Sequence, residues 1–98
     1  MFNTITSAEL LTQLNQTSLA TIDVREDDEF QVGHIPGAKN LPLSELLARY
    51  QELDPQTPYY VICHSGARSG NACAFLSQKG YKVTNIMGGM AEWQGAVD

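Results

Sequence analysis

Basic residues are scarce: six lysines and arginines stand against eleven acidic side chains, for a formal net charge of −5. That balance opposes the phosphate-neutralising surface that nucleic-acid binding requires, and it makes an anionic membrane an equally poor partner. Long apolar runs are missing as well. The longest, such as Tyr59–Cys63, span five residues, against roughly 20 for a bilayer-crossing helix. The opening residues Met1–Thr6 lack a basic region followed by an apolar one, so no export is expected. Cysteine is limited to Cys63 and Cys73, too few for a disulfide framework. The expected compartment is a reducing cytosol (cytoplasmic), in which at least one thiol is free for chemistry. Cys63 and His64 are adjacent and no Cys-x2-Cys or His-x3-His spacing occurs, so no metal site is expected. Repeats, low-complexity tracts and linkers are absent too. With 98 residues, 43% hydrophobic and 17% charged, the chain reads as one globular domain over residues 1–98.

What is present alternates between strand-like and helix-like segments. Phe2–Ile5 is a short strand candidate. Thr6-Ser7-Ala8-Glu9 fits a capping box that opens a helix with Leu10, Leu11 and Leu14 on one face. Leu19–Val24 reads as a strand running into the charged segment Arg25–Glu29, which suits a short helical turn at the sheet edge. Gly33–Ala38, with Pro36 and two glycines, makes a turn. Asn40-Leu41-Pro42 is a brief extended piece, and Ser44 can cap a helix turning Leu46, Leu47 and Tyr50 inward. Tyr59–Ile62 is apolar without alternation, as expected of a central strand covered on both faces. A helix follows over about Ser69–Lys79 with Ala72, Cys73, Phe75 and Leu76 on one face, then Gly80 as its left-handed cap and Val83–Ile86 as the last strand. This alternation predicts an α/β fold with a mostly parallel sheet covered by helices on both faces, and places ligands at the carboxyl ends of the strands.

The chemistry concentrates in Val61-Ile62-Cys63-His64-Ser65-Gly66-Ala67-Arg68-Ser69-Gly70: a buried strand, a cysteine, a loop of small residues and a helix start. Gly66 and Ala67 let successive backbone amides turn inward around the sulfur. The first turn of the helix adds unpaired N–H groups and a partial positive charge of roughly half a unit. One geometry then does two things: it acidifies the Cys63 thiol and it binds an anionic group held on, or approaching, that sulfur. Arg68 and a protonated His64 would reinforce both. Ser65 and Ser69 can cap locally or bond the sulfur.

At this point the sequence resembles the single-domain rhodanese-like sulfurtransferases. Asp23-Val24-Arg25-Glu26, Glu29-Phe30, Gly33-His34-Ile35-Pro36-Gly37-Ala38 and Asn40-Leu41-Pro42 resemble the family's N-terminal signature. Met87-Gly88-Gly89-Met90-Ala91-Glu92-Trp93 resembles its C-terminal one, with the Cys63–Ser69 loop between them. The resemblance covers essentially the whole chain. It implies a rhodanese-like five-stranded sheet with Cys63 at the floor of a shallow cup and ping-pong sulfur transfer through a Cys63 persulfide. The implied partners are a small sulfur-donor anion such as thiosulfate and an acceptor such as cyanide, a small thiol or a protein thiol; no metal or organic cofactor is implied. The residues His64, Ser65, Gly66, Ala67, Arg68 and Ser69 would form the anion-binding loop. Two alternatives stay open: a cysteine-dependent phosphatase or arsenate-type reductase on the same fold, and a sulfur-relay or binding module that acts only with a protein partner. Four residues separate Cys63 from Arg68, giving Cys-x4-Arg, whereas the related phosphatases resemble Cys-x5-Arg, because a phosphoryl group needs a wider cradle.

The other polar residues have plainer expectations. Asp23 and Arg25 support the turn beside the active loop through hydrogen bonds and ion pairs, with Glu29 a candidate partner for Arg25. His34 is architectural and Cys73 is a buried structural thiol. Gly88 and Gly89 suit a close backbone approach, Trp93 suits packing, and Met87 and Met90 suit the rim of the cup.

Overall fold

A computed structural model describes residues 1–98. Five strands, β1 (Asn3–Thr6), β2 (Ala20–Asp23), β3 (Lys39–Asn40), β4 (Tyr59–Ile62) and β5 (Val83–Met87), form one sheet in the order β1-β5-β4-β2-β3. Every pairing is parallel. Four helices, α1 (Ser7–Leu14), α2 (Asp27–Val32), α3 (Leu46–Arg49) and α4 (Ala67–Gln78), make the connections.

β4 lies in the middle, and its successive side chains go to opposite faces, as strand geometry requires. Val61 joins the larger core with Ile22, Leu46, Ala72, Cys73 and Leu76, beneath α3 and α4. Ile62 joins the smaller one with Leu10, Ile35 and Ile86, beneath α1. Each fully buried leucine or isoleucine is worth about 1.5–3 kcal/mol of transfer free energy, so the register of β4 is tightly held.

The capping box at α1 is present: the Glu9 amide donates to Thr6 Oγ1 and the Thr6 amide to Glu9 Oε1. Gly80, at φ +91°, ends α4 as expected. Elsewhere the structure departs from the pattern-based expectation. Leu47 is 76% exposed rather than turned inward, because the segment breaks into 3-10 turns around a helix of only four residues. Ser44 caps nothing; its hydroxyl donates to Glu26 Oε1 at 2.7 Å. α4 starts at Ala67, two residues earlier than expected, because Gly66 adopts φ +117° and lets the chain turn directly into the helix.

The topology places the site. β2 and β4 are neighbours, yet the chain leaves β2 through α2 toward β3 on one side, and leaves β4 through α4 toward β5 on the other. Such a divergence opens a crevice at the carboxyl ends of the two strands. The Cys63 loop and the Arg25–Glu29 segment therefore lie side by side.

At that junction Asp23 is fully buried and Arg25 is 7% exposed. Asp23 accepts from the Arg25 amide, Nε and Nη2, the last at 2.8 Å, and Nη2 also donates to the Gly33 carbonyl at 2.7 Å. Arg25 is thus committed to Asp23, not to Glu29. Arg25→Met should lower stability by about 3–5 kcal/mol, since it strands a buried carboxylate. Urea unfolding would register this, and adding Asp23→Asn should recover much of the loss.

Candidate active site

Cys63 follows the last residue of β4 directly, and 1% of its surface is exposed. The Gly66 amide donates to Cys63 Sγ at 3.1 Å, and Ser69 Oγ lies 3.3 Å from the same sulfur. Burial alone would push the thiol's pKa up. Hydrogen bonds from the Ser69 hydroxyl and from the amides of Ser69, Gly66 and Ser65 outweigh it and hold the thiol below its ordinary value. Cys73 is buried without such donors, and desolvation pushes it up to about 12. The two cysteines therefore separate into an acidified and an inert thiol.

The amides face the sulfur because the loop's carbonyls are claimed from the other side. Met90 N–H donates to the Cys63 carbonyl and Ala91 N–H to the His64 carbonyl, both at 2.8 Å, and Gly88 N–H reaches the Ser65 carbonyl at 3.1 Å. The Gly66 carbonyl accepts from Asn85 Nδ2 at 3.3 Å. In a planar trans peptide the C=O and the following N–H point in opposite directions. Drawing four successive carbonyls outward therefore turns the next amides inward. Gly89 makes this approach possible. A Cβ there would lie 2.7 Å from the His64 carbonyl carbon and closer still to the Cys63 and His64 oxygens. The buried Ser7 hydroxyl pins the Gly89 carbonyl at 2.7 Å.

Of the residues expected at the site, Cys63, Gly66 and Ser69 meet directly. His64, Ser65 and Ala67 are exposed above the sulfur's loop. Arg68 is turned to Glu29 in a two-pronged ion pair, with Nη1–Oε1 at 2.7 Å and Nη2–Oε2 at 2.9 Å. The side-chain hydrogen bond to Arg68 holds the Glu29 carboxyl at about 2. Asp23 and Arg25 support the neighbouring turn from within. Ser69 is the third residue of α4 and not its cap; its hydroxyl accepts from the neutral Cys63 thiol while donating to the Gly66 carbonyl or to Asn85 Oδ1, and it turns its proton to the sulfur when the thiol ionises. His34 is structural: its ring stacks on Phe30 at 3.7 Å and Nδ1 meets the Phe30 carbonyl.

Asn85, Ser7 and the amides of Met90 and Ala91 had no place in the sequence reading. A lone asparagine within the otherwise strand-like Val83–Met87 was the one available signal. Cavity size is no guide to the chemistry either. The largest groove, about 710 Å³, is lined by Leu11, Leu14, Leu19, Ile35 and Trp93 and opens at the amino ends of β2 and β3, away from Cys63.

Removing the Ser69 hydroxyl deletes the largest single contribution that favours the ionised sulfur. Ser69→Ala should therefore shift the pH profile of Cys63 alkylation upward. In the wild type, that profile should level off below the value of about 8.5 typical of an unperturbed cysteine.

A cysteine at a strand's carboxyl end, with the Gly66 amide on its sulfur and a helix following, matches the layout expected of the Val61–Gly70 stretch. The rhodanese-like domain family model matches residues 6–96. The chain belongs to the rhodanese-like domain family. A crystal structure of a rhodanese-like domain protein from Staphylococcus aureus superposes with a TM-score of 0.91 at 30% identity, covering 99% of this chain and 97% of that one. The rhodanese-like chain is 38% identical over 95 residues to a protein of Allochromatium vinosum named sulfurtransferase, covering 95% of this chain and 89% of that protein. It is 42% identical over 82 residues to YrkF of Bacillus subtilis, covering 83% of this chain but 44% of that protein. Family and relatives together support a sulfurtransferase-like enzyme.

Proposed function

We propose that this protein transfers sulfane sulfur through a persulfide on Cys63. In the first step the Cys63 thiolate attacks the sulfane sulfur of a donor such as thiosulfate. A new S–S bond forms, the donor's S–S bond breaks, and the leaving group departs with the electron pair, as sulfite in the case of thiosulfate. In the second step an acceptor thiolate or cyanide attacks the outer sulfur, and the Cys63 thiolate leaves. Each displacement is simpler than the direct exchange. The outer sulfur lies about 2 Å beyond the thiol sulfur, and the amides that favour the thiolate also favour the anionic persulfide. We infer that the unit spanning residues 1–98 acts in a reducing cytosol.

The single observation that carries this reading is the buried Cys63 sulfur held by the Gly66 amide at 3.1 Å with the Ser69 hydroxyl 3.3 Å away, a setting that lowers the thiol's pKa despite its burial. The phosphatase alternative fits less well. It calls for a guanidinium free to bind the phosphoryl oxygens, whereas both outer nitrogens of Arg68 are taken by Glu29. A relay acting with a protein thiol uses the same persulfide and differs only in the acceptor.

Intact mass tests the proposal. Incubation with excess sulfane-sulfur donor should add about 32 Da, one sulfur atom, and the peptide containing Cys63 should carry it. A thiol should then remove it. An unchanged mass with several donors would overturn the reading.

A further inference from the structure

The six basic side chains of this protein are almost all committed. Arg25 is held by Asp23, Lys39 by Glu52, Arg49 by Glu45 and Glu52, and Arg68 by Glu29. Lys79 lies over the Tyr50 and Phe75 rings at the end of α4, and Lys82 immediately precedes β5. Both lie toward the amino ends of the strands, opposite the Cys63 loop. At the loop itself the His64 imidazole is the one basic side chain without a carboxylate partner. Acidic groups gather there instead: Asp27 and Asp28 are exposed on α2, beside Glu26 and Glu29.

A dianionic donor is therefore poorly served. The amide cradle balances the charge that resides on one sulfur. The second charge of thiosulfate, spread over its sulfonate oxygens, would need a cation near the sulfur, and Arg68, five positions along the chain, partly exposed and within electrostatic range of Cys63, is the arginine or lysine that qualifies. Glu29 cancels that charge. With its carboxyl at about 2, Glu29 stays ionised throughout the neutral range, so the cancellation is permanent rather than pH-gated.

We propose that Glu29 is a specificity-determining residue: by occupying both outer nitrogens of Arg68, it turns the site against dianionic sulfur donors and toward donors that present a single charge at the reacting end, namely persulfides and thiosulfonates. The proposal rests on the sulfurtransferase reading above. The step is the same for either donor class. Cys63 thiolate attacks the sulfane sulfur, the donor's S–S bond breaks, and sulfite leaves from thiosulfate, a thiolate from a persulfide, or a sulfinate from a thiosulfonate.

The test compares thiosulfate with benzenethiosulfonate, a monoanion, using cyanide as acceptor and the full chain throughout. The wild type should have the higher kcat/KM with benzenethiosulfonate. Glu29→Gln keeps an oxygen to accept from Arg68 and from the Glu26 amide, while deleting the negative charge. It should raise kcat/KM for thiosulfate about tenfold, or ~1.4 kcal/mol, chiefly through KM, and change benzenethiosulfonate far less. The double variant Glu29→Gln/Arg68→Met should lose the gain, because the gain acts through the uncancelled guanidinium. Wild-type protein supplies a check that needs no variant: added salt should raise thiosulfate kcat/KM relative to benzenethiosulfonate, since screening weakens the unfavourable field on the larger charge. An equal response of both donors to the substitution, or no response, overturns the role of Glu29 while Cys63 loading leaves sulfur transfer standing. Loading by neither donor overturns sulfur transfer and this inference with it.

Discussion

Cys63→Ser should abolish sulfur loading and lower donor turnover by a factor on the order of 10⁴ to 10⁶, the scale on which removal of an enzyme's nucleophile is felt. The reason is chemical rather than structural. A serine hydroxyl does not ionise near neutral pH and cannot hold sulfur in a disulfane bond. The surroundings, however, accept it: the Gly66 amide that donates to the sulfur at 3.1 Å and the Ser69 hydroxyl remain as partners. A satisfied polar group costs little, so the stability change should stay within about 1.5 kcal/mol. Intact mass after donor treatment and a thermal melt on the same sample separate the two effects. A variant that folds normally and still gains the sulfur would remove Cys63 from the mechanism.

Gly89→Ala carries the second large effect, and its mechanism is indirect. Gly89 is 3-10 backbone at φ +53°, in the left-handed region, which costs an L-residue roughly 1–2 kcal/mol. The added methyl must also displace the Cys63 and His64 carbonyls, which are backbone and have no rotamer to escape into. Pushing those carbonyls away breaks the Met90 and Ala91 hydrogen bonds at 2.8 Å and re-aims the amides around the sulfur. A misplacement of about 1 Å at a reacting centre is worth on the order of 100-fold, and kcat/KM should fall by that much. The alkylation profile of Cys63 should move up toward that of an ordinary cysteine at the same time, which general destabilisation alone would not produce.

Gly88→Ala provides the contrast. Its φ is +89°, so the backbone strain is comparable, but the new Cβ meets the Glu92 carboxylate end at 2.8 Å. That side chain is flexible and exposed and can swing away. The variant should lose stability of the order of the backbone strain while keeping its Cys63 profile. Similar profiles for the two variants would show that the buttress does not aim the amides.

Much of this was legible in the residue order. The apolar run Tyr59–Ile62 marks a strand buried on both faces, and Val61 and Ile62 do enter opposite cores. Thr6 and Glu9 announce the start of α1, and Gly80 the end of α4. These features are local: each depends on side chains a few positions apart, whose periodicity or turn chemistry is written in one stretch of chain. Cys63 stood out for the same reason, since the small-residue loop and the helix that follow it are contiguous with it.

The partners of the charged groups were not legible. Arg25 could choose Asp23 or Glu29 on sequence grounds, and Arg68 could be free or paired. The choice is made by the crevice between β2 and β4, which brings residues 39 positions apart into a bond between Arg68 and Glu29. Ser69 looked like a cap because hydroxyls favour helix starts, yet Gly66 starts the helix and leaves the hydroxyl to Asn85, the Gly66 carbonyl and the sulfur. Asn85 comes from a strand that pairs with β4 only after folding.

The sequence by itself therefore determined the alternation of strands and helices, the reactive loop and the family. Short-range sterics, hydrogen bonding and hydrophobic periodicity act within each segment before the chain closes. Only the tertiary structure decided the direction of the loop's amides and the cancellation of Arg68. Both depend on groups from β5, α2 and the Gly88–Ala91 turn, which parallel crossovers bring next to Cys63 and whose pairing no local pattern encodes.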